Sequence, residues 1–159
     1  MLEFKLDTEH PTSIPCDRTN LDGLLHIPKD ARGIVLFAHG SGSSRFDIGF
    51  LAERLIAATH WVMRNPVLKE LPMGYFGAST GAGAALVAAA RMAAYIKAVV
   101  SRGGRPDMAT DSLAYVEAPT LLIVGAYFLF HMLTKGLSSP RCSQLSLENV
   151  CLPDMTCSV

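Results

Sequence analysis

Residues 73–84, Met73-Gly-Tyr-Phe-Gly-Ala-Ser79-Thr-Gly-Ala-Gly-Ala84, decide how this chain is read. Met73 to Phe76 predicts a short strand, Gly77 to Gly83 a glycine-rich turn, and the alanine-rich run from Ala84 to Ala94 a helix. The turn contains Gly77-Ala78-Ser79-Thr80-Gly81, a G-x-S-x-G pentapeptide in the strand–turn–helix setting that a nucleophile elbow requires. The requirement is steric. A serine at the tip of a tight strand-to-helix turn projects its hydroxyl from the C-terminal edge of a sheet. Small residues two before and two after it leave room for strand and helix to approach. The helix N-terminus behind it offers free N–H groups to a developing oxyanion. Ser79 is therefore the candidate nucleophile, and the Thr80 N–H the first candidate oxyanion donor.

Outward from this stretch the chain alternates strand and helix signals. Gly33 to Ala38 is a continuous apolar run, expected as a strand buried on both faces. It ends in His39-Gly40-Ser41-Gly42-Ser43-Ser44-Arg45, a loop whose Ser41 is the candidate second oxyanion donor. His39 is read as bracing that loop by side-chain hydrogen bonds. A helix is expected from Ile48 to about Met63, with Asp47 as N-cap and Leu51, Leu55, Ala58 and Val62 on one face; Asn65-Pro66 ends it. Leu2, Phe4 and Leu6 alternate as a strand would, Pro11 to Asn20 reads as a turn-rich connector, and Leu21 to Ile27 as a second strand. Ala98 to Val100 and Thr120 to Val124 are further buried strands, separated by a polar loop, Ser101-Arg-Gly-Gly-Arg-Pro-Asp107. The rhythm implies an α/β fold with a mostly parallel sheet flanked by helices.

Composition narrows the function classes. The chain has 159 residues, half of them hydrophobic and 18% charged, enough apolar surface for one core and too short for two full domains. Lys+Arg and Asp+Glu both number 14, so no basic field for nucleic acid is present. The longest apolar stretch, 121–133, is broken by Gly125 and His131 and falls short of the ~20 residues a membrane helix needs. The N-terminus lacks a secretory layout, and the chain reads as cytoplasmic. The four cysteines, at 16, 142, 151 and 157, form no C-x-x-C pair, so neither zinc nor a disulfide framework is expected.

The order of these pieces resembles the dienelactone-hydrolase-like group of α/β-hydrolases. The resemblance rests on Leu21-Asp-Gly-Leu-Leu-His-Ile-Pro28, the 33–45 segment, Gly77–Gly81, the 101–107 loop and Pro119-Thr-Leu-Leu-Ile-Val-Gly125, and covers about residues 1–126. It implies hydrolysis of an ester, lactone or related carbonyl substrate by a Ser–His–Asp triad, without cofactor. Relatives of this group also occur fused to phosphoribosyltransferase domains. Arg102 and Arg105 are candidates to meet a substrate carboxylate or phosphate.

Three departures qualify the resemblance. The family carries a further helix and strand between the His-Gly loop and the helix that here begins near Ile48, and about 40 residues, the size of one such unit, are missing. That leaves strand edges to be re-paired or exposed. No aspartate follows Gly125 at the family's acid position, so Asp107, after the strand at 98–100, is the alternative acid. None of the five histidines stands in the family's late loop; His131 supplies the base only if the chain bends back, and otherwise reads as a packed residue within an apolar run. The chain divides into a partial hydrolase domain, 1–126, and an atypical tail, 127–159. Glu148 to Cys157 is compatible with codons that two bases later give Lys-Arg-Leu-Pro-Ala-Gly-His-Asp-Met-Phe, which resembles the missing histidine loop and suggests a slipped reading frame.

Two rival readings stay open. Gly77-Ala-Ser-Thr-Gly81-Ala-Gly83 also fits the G-x-x-x-G-x-G turn of an NAD(P)-binding short-chain dehydrogenase, with a pyrophosphate at the helix N-terminus and Arg102 or Arg105 on a 2′-phosphate. That family begins with its motif, whereas here the motif starts at residue 77, and no Tyr-x-x-x-Lys pair is present. The second rival is a non-catalytic, truncated hydrolase-fold product.

Overall fold

The computed structural model describes residues 4–40, 47–104 and 106–124, with the backbone alone at 47 and at 145–146. Its strands are β1 (Glu9–Cys16), β2 (Thr19–His26), β3 (Ile34–Ala38), β4 (Met73–Ala78), β5 (Ile96–Arg102), β6 (Thr120–Ile123) and β7 (Leu145–Ser146). Its helices are α1 (Asp47–Arg64), α2 (Thr80–Arg91) and a short α3 (Thr110–Leu113), the last preceded by a 3-10 turn at Pro106–Ala109.

The architecture is α/β. Strands β3 to β7 form one parallel sheet in the order β3-β4-β5-β6-β7, and β1 and β2 form a separate antiparallel hairpin. The strand matching 21–27 has therefore left the main sheet, and β3 is its edge among the described residues. This is the exposed edge expected from the missing strand–helix unit.

α1 and α2 cover one face of the sheet. Ile48, Ala52, Leu55 and Val62 of α1 join Ala84 to Ala89 of α2, Met73 and Tyr75 of β4, and Ile96 and Val99 of β5 in a single core. The α1 stripe is thus centred on 48, 52, 55, 59 and 62; Leu51 and Ala58 lie at its flank, half-buried. At its centre the buried Thr59 hydroxyl donates to the Leu55 carbonyl at 2.9 Å and shares a 2.6 Å hydrogen bond with the Tyr75 phenol. Burial pushes the Tyr75 pKa up to about 12, with the Thr59 bond opposing the shift. Glu53 and Arg91 pair across the two helices.

Several sequence expectations need correction. β3 is not buried on both faces: Ile34, Leu36 and Ala38 face the helices, whereas Val35 and Phe37 are 56% and 74% exposed. Its apolar run reflects a strand with one covered and one bare face. The stretch 4–8 is not a strand. Asp7 adopts φ 57 there, its N–H donating to Ile27 O at 2.9 Å and its carboxylate accepting from the Lys29 N–H at 3.0 Å.

The connector at 11–20 is instead largely β1 and the hairpin turn. β1 contains Pro11 and Pro15, although prolines usually mark turns. A two-residue turn at Asp17-Arg18, with Asp17 at φ 49, makes Cys16 and Thr19 the closing pair. Residues 11 and 15 then fall at non-hydrogen-bonded positions, where a missing N–H costs the ladder nothing. The turn at 77–83 is also shorter than expected, because α2 begins at Thr80 and takes Gly81 and Gly83 into its first turn. The tail beyond 124, apart from the β7 backbone, lies outside the described residues, as does the frame-slip reading.

Candidate active site

Four strands deliver their C-terminal ends to one edge of the sheet, and Gly40, Ser79, Thr80 and Arg102 lie there. β4 ends at Ala78, and α2 starts two residues later, with Ser79 between them. Ser79 adopts φ 52, ψ −123, a conformation that side chains rarely occupy, that costs ~1–3 kcal/mol and that persists only where its surroundings enforce it. The surroundings are close-packed backbone. A Cβ at Gly77 would lie 2.5 Å from Ala82 Cα and 2.6 Å from Gly81 O. A Cβ at Gly81 would collide with the Ala38 carbonyl and lie 2.6 Å from His39 O. Both glycines of the pentapeptide are thus required by the approach of β3, β4 and α2. The Ser79 N–H donates to Arg102 O at 3.1 Å, which ties the turn to the end of β5.

A serine at a helix N-cap ordinarily uses its hydroxyl to accept from the first helical N–H groups. Ser79 makes no such side-chain bond and is exposed. The left-handed turn directs its side chain away from the helix it precedes, leaving the hydroxyl at the sheet edge.

The other candidates fall as follows. Thr80 is the first residue of α2 and is buried. Ser41 and Arg105 lie outside the described residues, as does His131. The described part of the His-Gly loop nevertheless reaches the serine: a Cβ at Gly40 would be 2.8 Å from Ser79 Cβ and 3.4 Å from its Oγ. Gly40 is the site residue that sequence reasoning overlooked; the signal was a His-Gly pair closing an apolar strand. His39 is exposed, and its Nδ1 stands 3.2 Å from Gly40 O, so that nitrogen donates to the carbonyl and braces the loop. Arg102 closes β5 with an exposed side chain. Asp107 lies half-buried in the 3-10 turn beyond β5, its carbonyl accepting the Thr110 hydroxyl at 2.6 Å. Among the described residues no cluster of three His, Cys, Asp or Glu side chains has metal-site geometry, and no helix is long and apolar enough to cross a membrane.

A parallel sheet with a strained serine between strand and helix defines the α/β-hydrolase fold class. The chain belongs to the dienelactone-hydrolase-like family of that class. It is 42% identical to the crystal structure of dienelactone hydrolase from Anabaena variabilis, with a TM-score of 0.75, covering 87% of this chain and 82% of that one. A hyperthermophilic esterase from the archaeon Pyrobaculum calidifontis shares the fold at a TM-score of 0.56 and 16% identity, over 82% of this chain and 71% of that one.

Curated relatives from two strains of Mycobacterium tuberculosis, provisionally named phosphoribosyl transferases, are 50% identical over 139 aligned positions. This chain spans 31% of their length. The match uses 65% of this chain, about 103 of 159 residues, so some 36 aligned positions have no counterpart here. A gap of that size is what a missing strand–helix unit produces. No family model matches the chain.

The sheet order also bears on the dinucleotide reading. Nucleotides bind such sheets where the strand order reverses. The order here runs β3 to β7 without reversal.

Proposed function

We propose that this chain is a serine hydrolase scaffold for an ester, lactone or similar carbonyl substrate, with Ser79 as nucleophile. The observation that carries the reading is the Ser79 backbone: left-handed, exposed and uncapped at the β4–α2 junction. In this reading Ser79 Oγ attacks the carbonyl carbon. The oxyanion that forms is met by the Thr80 N–H and by the loop of Gly40 and Ser41. Asp107 is the candidate acid, and Arg102 with Arg105 would hold an anionic group of the substrate. No cofactor is invoked.

The base is the weak component, because the family's late histidine has no counterpart at its usual place. A serine in an oxyanion site without its base retains only about 10³–10⁴-fold over water. The activity proposed is accordingly slow. The transferase chemistry named for the mycobacterial relatives is assigned to the two thirds of their length that this chain does not span.

The test is fluorophosphonate labelling of the purified chain, read by intact mass and by peptide mapping. Slow labelling at Ser79 that disappears in Ser79→Ala is expected. A cooperatively folded chain that takes up no label would refute Ser79 as an activated nucleophile and leave the non-catalytic reading in its place.

A further inference from the structure

We propose that the face of the main sheet left uncovered among the described residues is a self-association surface on which a second copy of this chain packs face to face. Three ladder rows build it. Phe37, Phe76, Val100 and Leu121 stand side by side across β3, β4, β5 and β6. Below them lie Val35, Gly74 and Ala98, and above them Ala78, Arg102 and Ile123. Phe37 is 74% exposed, and its ring centroid lies 5.1 Å from that of Phe76.

Parallel sheets ordinarily have both faces covered. Here the strand order never reverses, so right-handed connections keep their helices on one side, and α1 and α2 indeed share a single core layer.

Three features point to a second copy as the occupant. An apolar sheet face packs naturally on another one, the twist of the two sheets setting the angle between their strands. Arg102, at the upper rim, is the one charged residue in the three rows, and the formal net charge of the chain is zero, so two copies do not repel. Four strands about 4.8 Å apart and five residues long at about 3.3 Å each give a footprint of roughly 300 Å². Allowing for side-chain relief, the pair buries on the order of 1,000 Å², the lower bound for a specific but weak dimer. The surface is a face of the sheet, whereas Ser79 stands at its end, so association and labelling are separate readouts.

Sedimentation velocity from about 1 to 200 µM spans the affinity range of such an interface. The weight-average mass is expected to rise from 17.1 kDa to twice that value and level off. Phe37→Lys is expected to weaken association on the order of 100-fold. Its circular dichroism, and its melting temperature at a concentration where both chains are monomeric, should stay unchanged, because the side chain is mostly in solvent. Val35→Lys serves the same purpose should Phe37→Lys fail to fold. Phe50→Lys, at an exposed position on α1, should associate like the parent chain. A monomer at all concentrations, growth past the dimer, a folded Phe37→Lys dimer, or loss of association in Phe50→Lys would each overturn the proposal.

Discussion

Replacing Gly81 by alanine tests whether the elbow is held by close approach of backbone rather than by local turn preference. The added Cβ would collide with the Ala38 carbonyl oxygen and sit 2.6 Å from both Ala38 C and His39 O. Ordinary contact begins near 3.5 Å, so strand and helix must part by more than ~1 Å. None of these atoms belongs to a side chain that can rotate away. Ala38 is held in register with Gly77, and Gly77 in turn lies against Ala82. Overpacking of a responsive site costs about 1–3 kcal/mol, and this one has little freedom to respond.

A net loss of about 3 kcal/mol is expected, even though alanine alone would favour the helix by ~1 kcal/mol. In urea that corresponds to a midpoint lower by roughly 1.5–2 M for a chain of this size. Trp61, the chain's single tryptophan, packs against the core from α1 and reports the transition by fluorescence. Gly49→Ala is the matched control, because its Cβ meets nothing within 4 Å and the helix gains up to ~1 kcal/mol. A Gly81→Ala stability within ~1 kcal/mol of the parent would refute the account, since the approach would then be soft.

Gly40→Ala should behave differently, for its Cβ presses first on Ser79 Cβ, at 2.8 Å, from an exposed position just beyond β3. Fluorophosphonate labelling is expected to slow about 10²-fold with little change in the urea midpoint; equal labelling rates would detach this loop from the serine. Tyr75→Phe addresses pH. The native phenol holds its proton to about pH 12, while the unfolded one releases it near its ordinary value of 10. The unfolded state therefore binds fewer protons between those values, and parent stability falls with rising pH there by up to ~2.7 kcal/mol. Tyr75→Phe should lose ~1 kcal/mol at pH 8 with the Thr59 bond, yet narrow or reverse that deficit at pH 11. Parallel urea midpoints at the two pH values would contradict the assignment.

What was legible in the sequence was local. The β4–Ser79–α2 junction follows from a pentapeptide whose glycines answer to atoms a few residues away or on the adjoining strand. β5 and β6 were found from apolar runs at nearly their observed positions. What was not legible depended on partners. A proline at 11 or 15 reads as a turn until the register with β2 shows which N–H groups the ladder needs. An apolar run such as 34–38 reads as fully buried, because nothing within it reveals that the helices cover one side alone. Gly40 was passed over for Ser41, since a serine advertises a donor and a glycine shows its purpose only when the atom it makes room for is in view.

The connection between the missing unit and the bare face is topological. A run of strands laid down in one direction, joined by right-handed connections, places every connecting helix on the same side. Such a run builds half of an α/β sandwich with normal core packing, which is what α1, α2 and the face of Met73, Tyr75, Ile96 and Val99 show. The other face can be covered only by a segment that enters from outside this run, or from an insertion that reverses its direction. Between the loop at Gly40 and α1 there are too few residues for a strand and a helix. The chain passes instead from β3 to the helix that precedes β4, and the order β3-β4-β5-β6 stays monotonic. The same shortening that preserves the elbow, by leaving β4, α2 and β5 contiguous, therefore leaves the row from Phe37 to Leu121 without a covering helix among the described residues.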